Sequence, residues 1–171
     1  MSKALHTIGY EGISINEFID ALNRSGIDLL IDIRELPLSR KRGFSKKALN
    51  SHLASHNIGY LHLKGLGDPK AGRLAARAGH YSEFKRIFSA HMRTRIAKDD
   101  LQRGIEIAKT RSACLLCFER DHLNCHRCIV AEEMAKQGAF KLIHIGIIDT
   151  AEATCMKGSS GANAGIPAHL G

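Results

Sequence analysis

A 171-residue chain that is 44% apolar carries enough core-forming material for one domain. No apolar run reaches the roughly 18 residues of a membrane span, and the N-terminal segment lacks a signal-peptide h-region, so a cytoplasmic location is expected. The five cysteines are odd in number and mostly crowded into one segment, which argues against a disulfide framework.

Apolar runs of strand length alternate with helical patterns. Ala4–Gly9 reads as a first strand. Ser14 stands three residues before Glu17 in the capping-box arrangement, ahead of Ile15, Phe18, Ala21 and Leu22 at helical spacing. Gly26 fits the position just past that helix. Leu29–Ile33 is a second strand, apolar except for Asp32 and suited to cover on both faces.

Ser45 is placed to cap a helix carrying Ala48, Leu49 and Leu53 inward. Gly59 precedes a third strand, Tyr60–Leu63. A long excursion follows, with helical patterns at Tyr81–Met92 and Asp100–Lys109. Ala113–Phe118 is a fourth strand. Asn124 or Cys125 opens a helix through Lys136, with Gly138 at its end, and Phe140–Ile148 is a fifth strand. The pattern predicts one α/β domain over residues 1–149, with a mostly parallel sheet of about five strands and helices on both faces. The Gly/Ala/Ser-rich tail, 150–171, is expected to lie loosely on the surface.

In such sheets ligands bind beyond the carboxyl ends of the strands. The polar segments fall there: Gly9-Tyr-Glu-Gly12, Arg34 to Phe44, Lys64 to Lys70, and Glu119 to Arg127. Arg34, Arg40, Lys64, Lys70 and Arg73 are candidates for a phosphate clamp. The net charge of +8 is unevenly spread, and residues 34–111 hold 18 Lys or Arg against 6 Asp or Glu. Such a basic stretch is either a solvated surface or a face that attracts phosphates, free or on nucleic acid.

The segment from Cys114 to Cys128 gathers four cysteines, and two Cys-x2-Cys pairs superficially resemble a zinc site. Cys114 and Cys117 fall in a strand, where residues three apart point to opposite faces, so zinc is disfavoured and no metal ligand is assigned. The Cys114-to-Arg120 spacing matches that of cysteine phosphatases, but the residues between offer neither glycine nor free amides. Cys125-His126-Arg127, at a helix start, is the better candidate for reactivity, because the helix dipole and neighbouring cations favour a thiolate. The same helix start could instead bind an anion through Arg127, with Cys125 only lining the site.

Glu119 is a candidate general base, and Cys125 a candidate nucleophile. Tyr10, Glu11, Ser39, His62, Cys117 and His126 complete the expected lining, with Arg34, Arg40, Lys70 and Arg127 as cationic contacts. Asp32, charged within an apolar run, requires an ion-pair partner, and an arginine suits best. Cys114 and Cys128 are assigned to packing.

Five motifs resemble the bacterial "domain of unknown function 488" family. They are Thr7 to Gly12; Leu30 to Arg34 with Pro37, Ser39, Arg40 and Gly43-Phe-Ser45; Tyr60 to Leu63 with Leu66-Gly67 and Pro69-Lys70; Leu116-Cys-Phe-Glu119; and Cys125-His-Arg127. The resemblance spans roughly residues 5 to 147. It implies a compact cytosolic domain with these polar residues around one edge, and names no reaction.

Three functional classes remain. The leading one is a polar cleft that binds a phosphate-bearing ligand, nucleotide or nucleic acid, with acid and thiol groups that suit catalysis. It predicts that Arg34, Glu119 and Arg127 converge. The second is a non-catalytic nucleic-acid-binding module using the basic stretch 34–111, although 5% aromatic content without tryptophan disfavours base stacking. The third is a zinc-stabilised interaction domain, which needs all four clustered cysteines as ligands.

Overall fold

The computed structural model describes residues 1–146. In chain order the elements are β1 (Ala4–Gly9), α1 (Ile15–Arg24), β2 (Leu29–Asp32), α2 (Lys46–Ala54), β3 (Gly59–His62), α3 (Lys70–Arg77) and α4 (Tyr81–Met92). They continue with α5 (Arg95–Thr110), β4 (Ala113–Cys117), α6 (His126–Gly138) and β5 (Lys141–His144). Short 3-10 turns occupy Lys64–Leu66 and His122–Asn124. All strand pairings are parallel, in the order β3-β2-β4-β1-β5. The expected α/β class is therefore the observed one. The end of the fifth predicted strand and the Gly-rich tail lie outside the described residues.

Strand order explains why both faces are covered. The chain steps from β1 over β4 to β2, then on to β3, and afterwards returns past β2 to β4 and past β1 to β5. Right-handed crossovers in opposite directions must use opposite faces. Accordingly Phe18, Ile19 and Leu22 of α1 and Leu49 and Leu53 of α2 pack with Ile8, Leu30 and Leu116. On the other face, residues of α3 to α6, among them Phe88, Leu101, Ile105, Val130 and Met134, pack with Leu5, Leu29, Ile31 and Leu115. Successive strand residues divide cleanly between the two clusters, as the two-residue period of a strand requires.

Local signals fix the ends of several elements. The Ser14 hydroxyl accepts from Glu17 N at 3.2 Å, and Ser14 N donates to the Glu17 carboxylate at 2.7 Å, completing the capping box. Ser45 does stand at the N-cap of α2, but it makes no capping bond. Its hydroxyl instead accepts from Ser39 N and donates to Ser39 O, both at 3.1 Å, closing the loop after β2. Helix α5 begins at Arg95 rather than near Asp100, because Thr94 caps it through Ala97 N and its buried stripe starts at Ala97. Helix α3 was not expected. It buries only Gly72 and Ala75, too little for a periodic apolar signal. At the end of α6 the left-handed residue is Ala139, at φ 55°, not Gly138. Gly138 is required for space, since a Cβ there would stand 2.2 Å from the Phe140 ring.

Strand β2 ends in a buried ionic network. Asp32 is fully buried and takes Arg34 Nε at 2.9 Å and Nη2 at 2.7 Å in a bidentate pair. Tyr60 from β3 donates its hydroxyl to the same carboxylate at 2.6 Å. Arg34 Nη1 donates to the Tyr10 hydroxyl at 3.1 Å and to Phe44 O at 2.8 Å. Burial works against the Arg34 charge, but the bonds and charge of Asp32 outweigh it and hold the guanidinium above its ordinary pKa. Burial and the Asp32 charge together raise the Tyr60 phenol. The arginine partner expected for Asp32 is thus present, two residues on.

Removing one partner of such a pair strands the other charge in the interior. Asp32→Ala is expected to lower unfolding free energy by about 3–5 kcal/mol, measured by urea denaturation. Asp32→Ala/Arg34→Met, which removes both charges, is expected to recover a substantial part of that loss.

Candidate functional site

With every strand parallel, the loops after β1, β2, β3 and β4 leave the same edge of the sheet. Those after β1 and β2 lead to the α1/α2 face, and those after β3 and β4 to the other. Neighbouring loops diverge around β4, opening the crevice where ligands bind in sheets of this kind. Two contacts bind the β1 and β4 loops together. Glu11 N donates to Phe118 O at 2.9 Å, and the Glu11 carboxylate accepts from Arg120 N at 2.9 Å. Gly9 lies so close to this segment that a Cβ would stand 1.8 Å from the Glu119 carbonyl oxygen.

Cys117, the last residue of β4, shares a strand face with Leu115 and points toward the α3–α6 side. Glu119, two residues on, follows it. Cys125 is the N-cap of α6. Glu119 Oε2 accepts from the Cys117 thiol at 3.2 Å and from the Cys125 thiol at 3.1 Å. The two sulfurs are in contact. Their Cα atoms are 7.7 Å apart, beyond the roughly 4.4–6.8 Å usual for a disulfide, so the pair reads as two thiols meeting on one carboxylate. Burial raises the Glu119 pKa, and the charge of Arg127 opposes that shift.

The remaining groups surround this trio. Cys125 Sγ accepts from Arg127 N at 3.3 Å in the first turn of α6. His126 is buried, and its Nε2 donates to Ile33 O at 2.9 Å. A carbonyl can only accept, so Nε2 carries the proton and Nδ1 presents a lone pair, 3.8 Å from Cys125 Sγ. Burial lowers the His126 pKa to about 4, so the ring is neutral. Arg127 is 2% exposed, and its Nε and Nη1 are buried without a hydrogen-bond partner among the described residues. Burial also lowers its pKa. An arginine with unused donors beneath a thiol and a carboxylate is a group prepared for an anion.

The structure divides the residues expected to line the site. Cys117, Glu119, Cys125, His126 and Arg127 are brought together. Arg34 is turned to the other face, toward Asp32 and Tyr10, because Asp32 shares the alternation of Leu30. Arg34 is taken up by Asp32, Tyr10 and Phe44 O, and His126 bonding to Ile33 O ties the start of α6 to the end of β2. Tyr10 is buried, stacks on Phe44 with ring centroids 4.4 Å apart and meets Phe118 edge-on at 5.3 Å. His62 Nε2 bonds Arg34 O at 2.8 Å. Ser39 is used within its own loop, and its hydroxyl accepts from Lys41 N at 3.1 Å. Glu11, Arg40 and Lys70 are exposed. Arg73 pairs with Glu35 and donates to Asp68 O at 2.6 Å.

The four clustered cysteines do not form one group. Cys114 packs on the α1/α2 face, and burial raises its pKa. Cys128 is not core as expected: it is half-buried, one turn along α6, and donates to Glu132 at 3.3 Å. A recess of about 630 Å³ lies between the loops after β1 and β2, lined by Gly12, Ile13, Lys41, Arg42 and His52 among others. A Cβ built at Gly12 would find Arg120 Nη1 as its nearest neighbour, at 3.9 Å.

The family described as "Domain of unknown function DUF488" matches residues 14–134. The chain belongs to this family. No curated protein and no solved structure matches it. Among the described residues of this DUF488 protein, no helix is long and apolar enough to cross a membrane.

Asp68 escaped the sequence reading. It lies between Gly67 and Pro69 in a loop, where nothing signals burial, yet it is 5% exposed with Oδ1 unpartnered. Burial raises its pKa to about 7, with Glu119 and Glu35 adding to the shift and Arg73 opposing it. A carboxyl raised in the folded state contributes stability that is full below its unfolded pKa of about 4 and lost as pH rises through about 7. Asp68→Asn cannot ionise, so its melting temperature is expected to decline less than wild type between pH 4 and 8. Equal declines in a thermal-denaturation pH series would show that Asp68 is not the source.

Proposed function

We infer that the DUF488 chain is an enzyme of thiol chemistry that binds a phosphate-bearing ligand at the carboxyl edge of its sheet. The observation that carries this reading is Glu119 Oε2 at 3.1 Å from Cys125 Sγ, at the first turn of a 13-residue helix. A nucleophile within hydrogen-bond reach of its base, at a helix N-terminus, is the arrangement an activated thiol requires. In the proposed step Glu119 takes the Cys125 proton and the thiolate sulfur bonds to an electrophilic centre of the ligand. The leaving group departs with the electron pair of the broken bond. Neutral His126, with its Nδ1 lone pair toward Cys125, orients the thiol.

The ligand's anionic part is assigned to Arg127, whose Nε and Nη1 have no hydrogen-bond partner among the described residues. The recess beside Gly12, with Lys41, Arg42 and His52 in its wall, adds a basic concavity on the α1/α2 side of the same edge. Exposed Arg40, Lys46 and Lys47 on the same loop and the start of α2 reinforce the positive potential there. Arg34 is assigned to holding the edge in place rather than to the ligand.

Inorganic phosphate, a nucleoside monophosphate and a short RNA are each to be tested by thermal shift on the full chain. Wild type is expected to gain a few degrees in Tm with saturating phosphate or monophosphate, and Arg127→Met to lose that increment whatever its own baseline. Unchanged Tm with all three, or an equal increment in Arg127→Met, would contradict the assignment. RNA binding alone, weakening steeply with salt, would instead support the basic-surface reading.

A further inference from the structure

Cys117 has no part in the reaction proposed above, yet its thiol is fully buried and shares a carboxylate oxygen with Cys125. The thiols of Cys117 and Cys125 and the Glu119 carboxylate present one ligand atom each, all within 4.8 Å of one another. They come from two rigid elements, the end of β4 and the first turn of α6. Glu119 follows Cys117 after a bend at Phe118, which brings its carboxylate back to the Cys117 thiol.

We propose that Cys117, Glu119 and Cys125 hold one soft divalent cation of the zinc class, and that its binding withdraws Cys125 from reaction. The first half is independent of the thiol reading; the second rests on it.

The donor set selects the metal. Two thiolates with one carboxylate suit zinc and exclude the hard-cation preference of magnesium or calcium for oxygen cages. Zinc–sulfur bonds of about 2.3 Å and a zinc–oxygen bond of about 2.0 Å place tetrahedral sulfur and oxygen ligands about 3.5 Å apart. The present Sγ–Oε2 separations of 3.2 and 3.1 Å reach that with shifts of a few tenths of an ångström, while the two sulfurs, now in contact, must part by more than an ångström, to about 3.8 Å. Three protein ligands leave a fourth position, and Glu119, only partly buried, is the side from which a water or ligand atom would fill it.

Charge balance gives a second, separate argument. Binding releases two thiol protons. Two thiolates and a carboxylate around a divalent cation carry one net negative charge. Arg127 supplies one positive charge whose Nε and Nη1 lack a hydrogen-bond partner among the described residues, and its field reaches Glu119. The buried arginine is thus accounted for in both states of the site: facing the loaded metal centre, or facing an anionic ligand when the metal is absent. Cys114 and Cys128 take no part, since one packs across the sheet and the other bonds Glu132.

The test uses the reduced, chelator-stripped full chain titrated with cobalt(II), then zinc(II). One equivalent of cobalt is expected to give a sulfur-to-cobalt charge-transfer band in the near ultraviolet, displaced by zinc. Cys117→Ser should weaken the band strongly, and Glu119→Gln should loosen binding about tenfold or more, while Cys128→Ser should match wild type. Absence of the band, its persistence in Cys117→Ser, or its loss in Cys128→Ser would overturn the metal site. A second arm follows iodoacetamide labelling of Cys125 by mass spectrometry. Zinc should stop it and chelation restore it; labelling that continues on the zinc-loaded chain overturns the masking. Failure to bind cobalt with phosphate binding intact would remove only this inference. Cobalt binding without any phosphate effect would remove only the anion reading.

Discussion

One carboxylate holds the candidate site together. Glu119 leaves the end of β4, and its Oε2 meets the thiols of both Cys117 and Cys125. It therefore ties the strand end to the first turn of α6. Everything around it is arranged to keep that oxygen in place: Gly9 admits the Glu119 carbonyl where any side chain would collide, and Glu11 grips the next residue's amide. A thiol pair on a shared, partly buried carboxylate has little structural purpose, because two apolar side chains would pack as well without the desolvation penalty.

The sheet gives this site a rigid base and a neighbour it does not touch. Strand alternation sends Asp32 and its Arg34, Tyr10 and Tyr60 partners to the α1/α2 face and Cys117 to the α3–α6 face, where Glu119 meets it after the bend at Phe118. The two polar groups are joined through the backbone, where His126 bonds the Ile33 carbonyl between Asp32 and Arg34. One group works as frame, satisfied in every direction. The other keeps buried donors unused, as the Nε and Nη1 of Arg127 show. Buried polar groups left unsatisfied call for an explanation, and that difference marks the second set as the candidate site.

Much of this was legible in the sequence. The capping box at Ser14, the strand runs and the polar stretches behind them were enough for an α/β fold with its polar loops at one edge. The opposition of Cys114 and Cys117 followed from strand period alone. Convergence of side chains across that edge was not legible, because it depends on the parity of each residue within its strand: Arg34 follows Asp32 to the far side. Helix α3 gave no apolar period to read, being rich in Gly, Ala and Arg and packed mainly on α4. Asp68 was invisible because loop residues carry no pattern that marks burial. The pairing of Cys117 with Glu119 had a readable signal, two residues apart at a strand's exit. It was obscured by the more conspicuous Cys-x2-Cys spacing.

The central claim, that Glu119 activates Cys125, is tested most directly by iodoacetamide labelling of the metal-free chain, with Cys128 as internal reference. The account predicts that Glu119→Gln lowers the ratio of Cys125 to Cys128 labelling rates about tenfold, the lower end of what a positioned base contributes. A ratio unchanged by Glu119→Gln, with the fold intact, would contradict it.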